Sequence, residues 1–460
     1  MFDIVTSSAG NNYILDISNG IIQYVHPLLF TREFGGKEYY RQKYNYLKKY
    51  GVLKEEQSDY SLSLLSKEDV ECNFVGTSQI LFEVTDKCNL KCKYCGYGEL
   101  YNNYDKRENK NLSLDFVKSF WNFYRKKCDD YNNQNHNLTI GFYGGEPLLN
   151  FKLIKEIILY IESNSTVRLR YNMTTNAVLL DKYMQFLVDK NFNLLISLDG
   201  DQFASSYRVD HKNKPIYDKV IRNINTLKLK YPDYYSRNVS FNAVLHNRNT
   251  EDNVFEYFKK EHGKEPFMSP LNPSGVNPLK KSDFDEIQNK NQSVEKFLLK
   301  NGRFKRKVLL EYSRFFYNNV FSYYDNYMDL FIGSRKKDIV PTATCSPFMK
   351  KIFITVQGKI LPCEKIGQEY PLGNISDGVV QIDFEKIANQ YNKLYENVYE
   401  NECKKCSFLF NCSMCLYFFY KGKCSVNRSK NNFFMFMKEK IDFIEHSRAI
   451  YSDLDNITFR

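Results

Sequence analysis

Residues 85 to 95 read Thr85-Asp86-Lys87-Cys88-Asn89-Leu90-Lys91-Cys92-Lys93-Tyr94-Cys95. Three cysteines on one short loop, spaced Cys-x3-Cys-x2-Cys, can cap three corners of a cubane iron–sulfur cluster, because thiolates are the soft ligands such clusters require. A 4Fe–4S cluster has a fourth iron, which this loop leaves open for a small molecule. The competing assignment is structural zinc. Zinc usually takes four ligands in paired Cys-x2-Cys knuckles, whereas this loop offers three, unevenly spaced.

The flanking sequence repeats a strand–loop–helix rhythm. The strand candidates are Ile80 to Thr85, Leu138 to Tyr143, Val167 to Thr174, Leu194 to Leu198 and Val239 to Leu245, with a weaker one near Phe267. Helical periodicity fills the intervals at Ser113 to Lys127, Leu153 to Ser163, Asp181 to Lys190 and Tyr217 to Lys230. Strands alternating with helices form a parallel sheet. The expected fold class is therefore α/β, a partial (β/α)6 TIM-like barrel with its chemistry at the C-terminal strand ends. The cysteine loop lies at the first such end. Gly144-Gly145-Glu146-Pro147 follows the second strand, Thr174-Thr175-Asn176 ends the third and Ser197-Leu198-Asp199-Gly200 ends the fourth. Paired glycines let backbone approach a ligand closely, and Glu146 is placed to accept from an ammonium group.

The chain has 460 residues and 12 cysteines, ten of them in two clusters. Met1 to Gly10 carries no basic stretch followed by an apolar one, so the expectation is a cytoplasmic protein with reduced thiols. No apolar run reaches the roughly 20 residues of a membrane span. The net charge of +11 is spread along the chain. That is the pattern of a solvated lysine-rich surface rather than a nucleic-acid face. Cys72 and Cys128 stand outside both clusters and read as ordinary thiols.

The second cluster comprises Cys345, Cys363, Cys403, Cys406, Cys412, Cys415 and Cys424, with Gly358 ahead of Cys363. Paired Cys-x2-Cys steps also suit a zinc ribbon. Five segments follow: 1–76, 77–275 for the barrel, a charged, aromatic and helical bridge over 276–344, 345–428 for the second cluster, and a terminal helix within 429–460. In the front segment, Asn12 to Ile17 and Ile21 to Tyr24 read as strands around Asn19-Gly20, and Glu38 to Tyr50 as a helix.

The first loop, with Tyr94 before its last cysteine, resembles the radical S-adenosylmethionine (SAM) superfamily. Gly144 to Pro147 resembles that family's GGEP motif, and the second cluster resembles its SPASM extension. The resemblance covers about residues 78 to 424. It implies SAM chelated on the open iron of the cluster held by Cys88, Cys92 and Cys95, and cleaved on reduction to a 5′-deoxyadenosyl radical. It implies cofactor contacts from Tyr94, Gly144, Gly145, Glu146, Pro147, Thr175, Asn176, Ser197, Asp199 and Arg208. It also implies two auxiliary 4Fe–4S clusters, three in all. Cys403, Cys406, Cys412 and Cys424 would hold the outer one and Cys345, Cys363 and Cys415 the inner one. The inner set is one ligand short, so Asp338 completes it or a site stays open to substrate. Cys412 and Cys415 are one residue closer than in the commonest form of the motif.

Relatives of this kind commonly modify peptides. The expected function is hydrogen abstraction from a ribosomally made precursor to form a thioether or carbon–carbon cross-link. Its leader would add as a strand to the front segment, and electrons would come from a flavodoxin or ferredoxin. The alternatives are an anaerobic sulfatase-maturing enzyme that forms formylglycine, and a non-catalytic peptide-binding partner. The sequence singles out no general base.

Overall fold

The protein is described from a computed structural model, which covers residues 2–16, 21–30, 34–49, 61–132, 137–165, 167–288, 338–342 and 344–404, with 406, 409, 412, 414–419, 424, 434–435, 437–438, 441–442 and 445. The Asn19-Gly20 turn and most of the bridge lie outside these residues. Those described within the expected terminal helix are helical. The chain divides into two compact units. One contains Met1–Leu64, Asn301–Thr344 and Tyr391–Arg460, the other Leu65–Lys300 and Cys345–Gln390.

The first unit opens with β1 (Phe2–Thr6), β2 (Asn12–Asp16) and β3 (Ile21–Val25). They form an antiparallel sheet in the order β1-β2-β3. The expectation of two strands here is thus extended: β1 was not foreseen, and it fills one edge of β2. Among the described residues, β1 and β3 are the edge strands of this sheet. Ile14, Val25 and Leu29 pack with Leu47 of helix α1 (Glu38–Lys49), flanked by Tyr40 and Tyr44. The unit ties its ends together. The amide and hydroxyl of Ser8 each donate to Asp442 at 2.6 Å, and Asn11 and Tyr13 donate to Glu445 at 2.7 Å. A short strand β4 (Ser61–Leu62) pairs in parallel with Asp338–Ile339.

The second unit begins with α2 (Lys67–Val75), a helix that polar composition concealed. Its start was written in the sequence: Ser66 and Asp69 form a reciprocal capping box. Phe74 sits at the centre of an aromatic cluster, edge-on to Phe120, Tyr124, Phe348 and Phe384.

Six parallel strands follow: β5 (Gln79–Thr85), β6 (Asn137–Gly144), β7 (Arg168–Thr175), β8 (Asn193–Ser197), β9 (Val239–Leu245) and β10 (Phe267–Pro270). They pair strictly in chain order. With right-handed crossovers, an order that never reverses puts every helix on one face and curls the sheet into a barrel wall. The helices are α3 (Leu114–Asp130), α4 (Phe151–Ser163), α5 (Leu180–Asp189), α6 (Tyr217–Lys230), α7 (Pro232–Asn238) and α8 (Glu251–Tyr257). Their buried faces, such as Ile154, Ile157, Ile158 and Ile161 of α4, lie at helical spacing. The partial parallel barrel expected from the sequence is therefore present.

The sheet does not end at β5. After β11 (Asp338–Ile339), strand β12 (Ile352–Ile354) pairs in parallel with β5. β13 (Lys359–Leu361), β14 (Gly373–Ser376) and β15 (Val379–Ile382) continue as an antiparallel meander, giving ten strands in one sheet. Among the described residues, no helix is long and apolar enough to cross a membrane.

Candidate functional site

The Cys88 loop leaves the C-terminal end of β5 and is fixed from three sides. The amides of Lys91 and Lys93 donate to the carbonyls of Val209 and Tyr207 at 2.7 and 3.2 Å. The His211 ring lies 2.8 Å from the Cys88 carbonyl. The amides of Gly145 and Glu146 donate to the carbonyls of Thr85 and Lys87 at 3.0 and 2.8 Å. This last contact explains the paired glycines. Gly144 has φ 131°, and a Cβ there would strike the Thr85 carbonyl. At Gly145 a Cβ would collide with the Lys87 carbonyl and stand 2.7 Å from that of Asp86. Only glycine lets the two strand ends zip together.

Glu146 is buried, and both its carboxylate oxygens are occupied. One accepts from the Leu148 amide at 3.1 Å and the Thr175 hydroxyl at 2.8 Å; the other accepts from the Asn176 amide at 2.8 Å. Burial raises its pKa to about 7 against these three donors. A cationic ligand beside it would stabilise the ionised form. Pro147 opens the short turn Pro147–Asn150 that follows. The Asn176 side chain donates to Asn89 Oδ1 at 2.8 Å and lies 3.9 Å from Cys88 Sγ. Ser197 pairs with Asn242 between β8 and β9.

Beyond β8 the structure assembles Tyr94, Asp199 and Arg208. Asp199 is fully buried and bound two-pronged by Arg208, Nε to Oδ2 at 2.9 Å and Nη2 to Oδ1 at 2.8 Å. It also accepts from the Tyr94 hydroxyl and, at 3.0 Å, from the Val244 amide. Burial alone would raise this carboxyl. The Arg208 charge, with hydrogen bonds from Arg208 and Tyr94 and the His246 ring 3.8 Å away, outweighs it and holds the group well below the carboxylate range. The His246 ring stacks on Tyr94, and Asn249 donates to the Asp199 carbonyl at 3.1 Å. These three sequence-selected residues thus bind one another, and His246 and Asn249, which sequence reasoning missed, complete the set.

The cysteines suit an iron–sulfur cluster in donor chemistry and placement. Their electrostatic fields act on one another, so they share one locale. Glu146 acts on Cys88, and Arg208 on Cys92. Burial pushes the Cys88 and Cys92 thiols up to about 11 and about 12, so metal must displace their protons on binding. Among the described residues, no three His, Cys, Asp or Glu side chains converge on a point that would hold one metal ion. A cubane does not ask for that, because each thiolate caps a different iron.

A second polar cluster on the same loop was not foreseen. Glu83 of β5 is buried and accepts from the Tyr97 hydroxyl at 2.8 Å and the Val356 amide at 3.0 Å. Burial raises it to about 7. Arg107 lies over the Tyr97 ring, 4.6 Å from its centre, and donates to Cys95 Sγ at 3.5 Å. Nearby, Lys351 and Glu364 form an ion pair at 2.7 Å beside Cys363. The only signal was Glu83, a charged residue inside an apolar strand; Arg107 stands in a polar loop that offers none.

Of the second cysteine cluster, Cys345 and Cys363 fall in the barrel unit, while Cys403, Cys406, Cys412, Cys415 and Cys424 fall in the other. Cys345 is exposed and Cys403 buried. The Cys406 amide donates to the Cys403 carbonyl at 2.9 Å, and the Met414 amide points at Cys412 Sγ at 3.4 Å. Asp338 lies in β11.

Comparison with known proteins gives a consistent picture. Residues 82–260 match the Radical SAM superfamily. A cysteine-type anaerobic sulfatase-maturating enzyme of Clostridium novyi (strain NT) is 25% identical over 321 residues, covering 65% of this chain and 77% of the relative. The radical SAM cyclopropyl synthase TigE of Paramaledivibacter caminithermalis is 26% identical over 349 residues, covering 72% of this chain and 66% of its own. Among solved structures, native anSMEcpe with bound AdoMet superposes with a TM-score of 0.53 at 20% identity, covering 83% of this chain and 100% of that one. Likeness at that identity concerns the fold.

Proposed function

We propose that this chain, which carries a radical SAM domain over residues 82–260, modifies a side chain of a ribosomally made peptide by hydrogen abstraction and forms a thioether or carbon–carbon cross-link. Cys88, Cys92 and Cys95 would hold a 4Fe–4S cluster. Glu146 and the end of β7 at Thr175 and Asn176 would receive the methionyl ammonium of SAM. When bound, cluster and cofactor supply a 5′-deoxyadenosyl radical on reduction. The protein's own part is to hold the loop, through the backbone zipper at Gly145 and the contacts from Tyr207 and Val209, and to present an anionic carboxylate in a dry site where its charge acts strongly. Tyr94, Asp199 and Arg208 would brace the far side of that pocket. Cys345, Cys363, Cys415 and Cys403, Cys406, Cys412, Cys424 would hold auxiliary clusters, and a flavodoxin or ferredoxin would supply electrons.

The observation that carries the peptide reading is the antiparallel sheet β1-β2-β3 with its edges at β1 and β3. Sheet edges are where extended peptides add. A second reading, formylglycine formation, is favoured by the similarity to sulfatase-maturating enzymes. Mass spectrometry separates them. The reduced enzyme and SAM are offered two peptides: the short product of an open reading frame adjoining its gene, and a synthetic peptide with a sulfatase active-site cysteine. Loss of a hydrogen pair from the first, with no other mass change, is the expected result. Replacement of thiol by aldehyde in the second, with the first untouched, would overturn the cross-linking reading.

A further inference from the structure

We propose that Arg107 is a positioning residue that sets the reduction potential of the cluster held by Cys88, Cys92 and Cys95. The proposal rests on the cluster assignment above. Two guanidinium groups flank the cysteine loop, and their surroundings differ. Arg208, the one nearer Cys92, is bound two-pronged to Asp199, a carboxylate held fully ionised, so the pair carries no net charge. Arg107 has no such partner. Among the described residues it makes no ion pair, and its Nε is buried without a hydrogen-bond acceptor. Its contacts are the face of Tyr97 and the sulfur of Cys95 at 3.5 Å. Its field also reaches Cys88.

Glu83, whose carboxyl feels its charge, makes no ion pair with it. Glu83 directs one oxygen at the Tyr97 hydroxyl and the other at the Val356 amide. The arrangement therefore runs from Glu83 through Tyr97 to Arg107 and ends on a cluster sulfur. Tyr97 fixes the guanidinium from below, and Glu83 fixes Tyr97. Reduction places the electron on the irons of a cluster and makes its thiolate and sulfide sulfurs more negative. An N–H donor and an uncompensated cation at one of them stabilise the reduced form and raise the potential.

The test is an anaerobic redox titration, with dithionite as reductant, of reconstituted full-length protein. It follows the electron paramagnetic resonance signal that changes when SAM is added, which marks the cluster with the open iron. Arg107→Met should shift that reduction equilibrium at least tenfold toward the oxidised form, about 59 mV for one electron. Arg107→Lys, which keeps charge but loses the fork, should fall between Met and wild type. Glu83→Gln, which removes the opposing charge, should leave the potential equal or higher. A purely structural role would shift both positions the same way or lower iron content alone. A wild-type potential in Arg107→Met overturns the proposal, and if that variant holds no cluster, a wild-type potential in Arg107→Lys does so. Absence of any SAM-sensitive signal from the wild type would remove the cluster assignment and this inference together.

Discussion

Replacing Asp199 by Ala tests the physical core of the site without any cofactor. The carboxylate takes two bonds from Arg208, one from the Val244 amide and one from Tyr94. Its removal leaves a guanidinium at 6% exposure with no counter-charge and strands two more donors. Breaking a buried pair from one side costs about 3–5 kcal/mol, most of it the penalty of the orphaned cation. Removing both partners, as in Asp199→Leu with Arg208→Leu, takes away the penalty as well as the bond. The double variant should then be more stable than the sum of the single losses by at least about 2 kcal/mol. Urea unfolding of metal-free protein at neutral pH measures this. Trp121, the only tryptophan in the chain and buried on α3, reports on the barrel unit. A loss below about 0.5 kcal/mol for Asp199→Ala, the range of an ordinary surface change, would refute the reasoning, as would strict additivity.

Two further outcomes are expected. Gly145→Ala pushes a methyl into the Lys87 carbonyl and breaks the 2.8 Å bond from the Glu146 amide. It should cost about 1–3 kcal/mol and, by displacing the loop by about 1 Å, lower 5′-deoxyadenosine formation roughly 100-fold; wild-type turnover would contradict the zipper. His262 is buried among Phe241, Tyr257 and Phe258, and burial lowers its pKa to about 4. Above about pH 6.5 the ring is neutral in both states and has no pH effect. As pH falls from 6.5 toward 4 the unfolded chain takes the proton first and stability drops, by up to roughly 2–3 kcal/mol. His262→Phe should flatten that slope in unfolding curves, and an unchanged slope would assign it to other groups.

The barrel was legible because its strands are short segments rich in apolar residues, continuous in β5 and alternating with polar ones in β7 and β9, set between turn signals. Val239 to Leu245 agrees residue for residue with β9, and the other long strands agree to within a residue at each end. What escaped notice was short or polar. β12 has three residues and gains its stability from pairing with β5, a contact more than 250 positions away in sequence. The α2 helix has a weakly amphipathic pattern and declares itself only through Ser66 and Asp69. In the site, spacing located the cysteines, Glu146 and Asp199, since each stands at a strand end. It could not show that Arg208 is committed to Asp199, or that His246 and Asn249 join them from the end of β9. Glu83 and Arg107 were hidden for a related reason: each matters through a partner that only the fold supplies.

The most direct test of the central claim is the yield of 5′-deoxyadenosine from SAM. It is measured by chromatography after anaerobic reconstitution and reduction, for the wild type beside Cys88→Ala/Cys92→Ala/Cys95→Ala. The account predicts cleavage by the wild type, none by the triple variant, and a fall in bound iron of about one cluster. Cleavage by the triple variant at the wild-type level would contradict it.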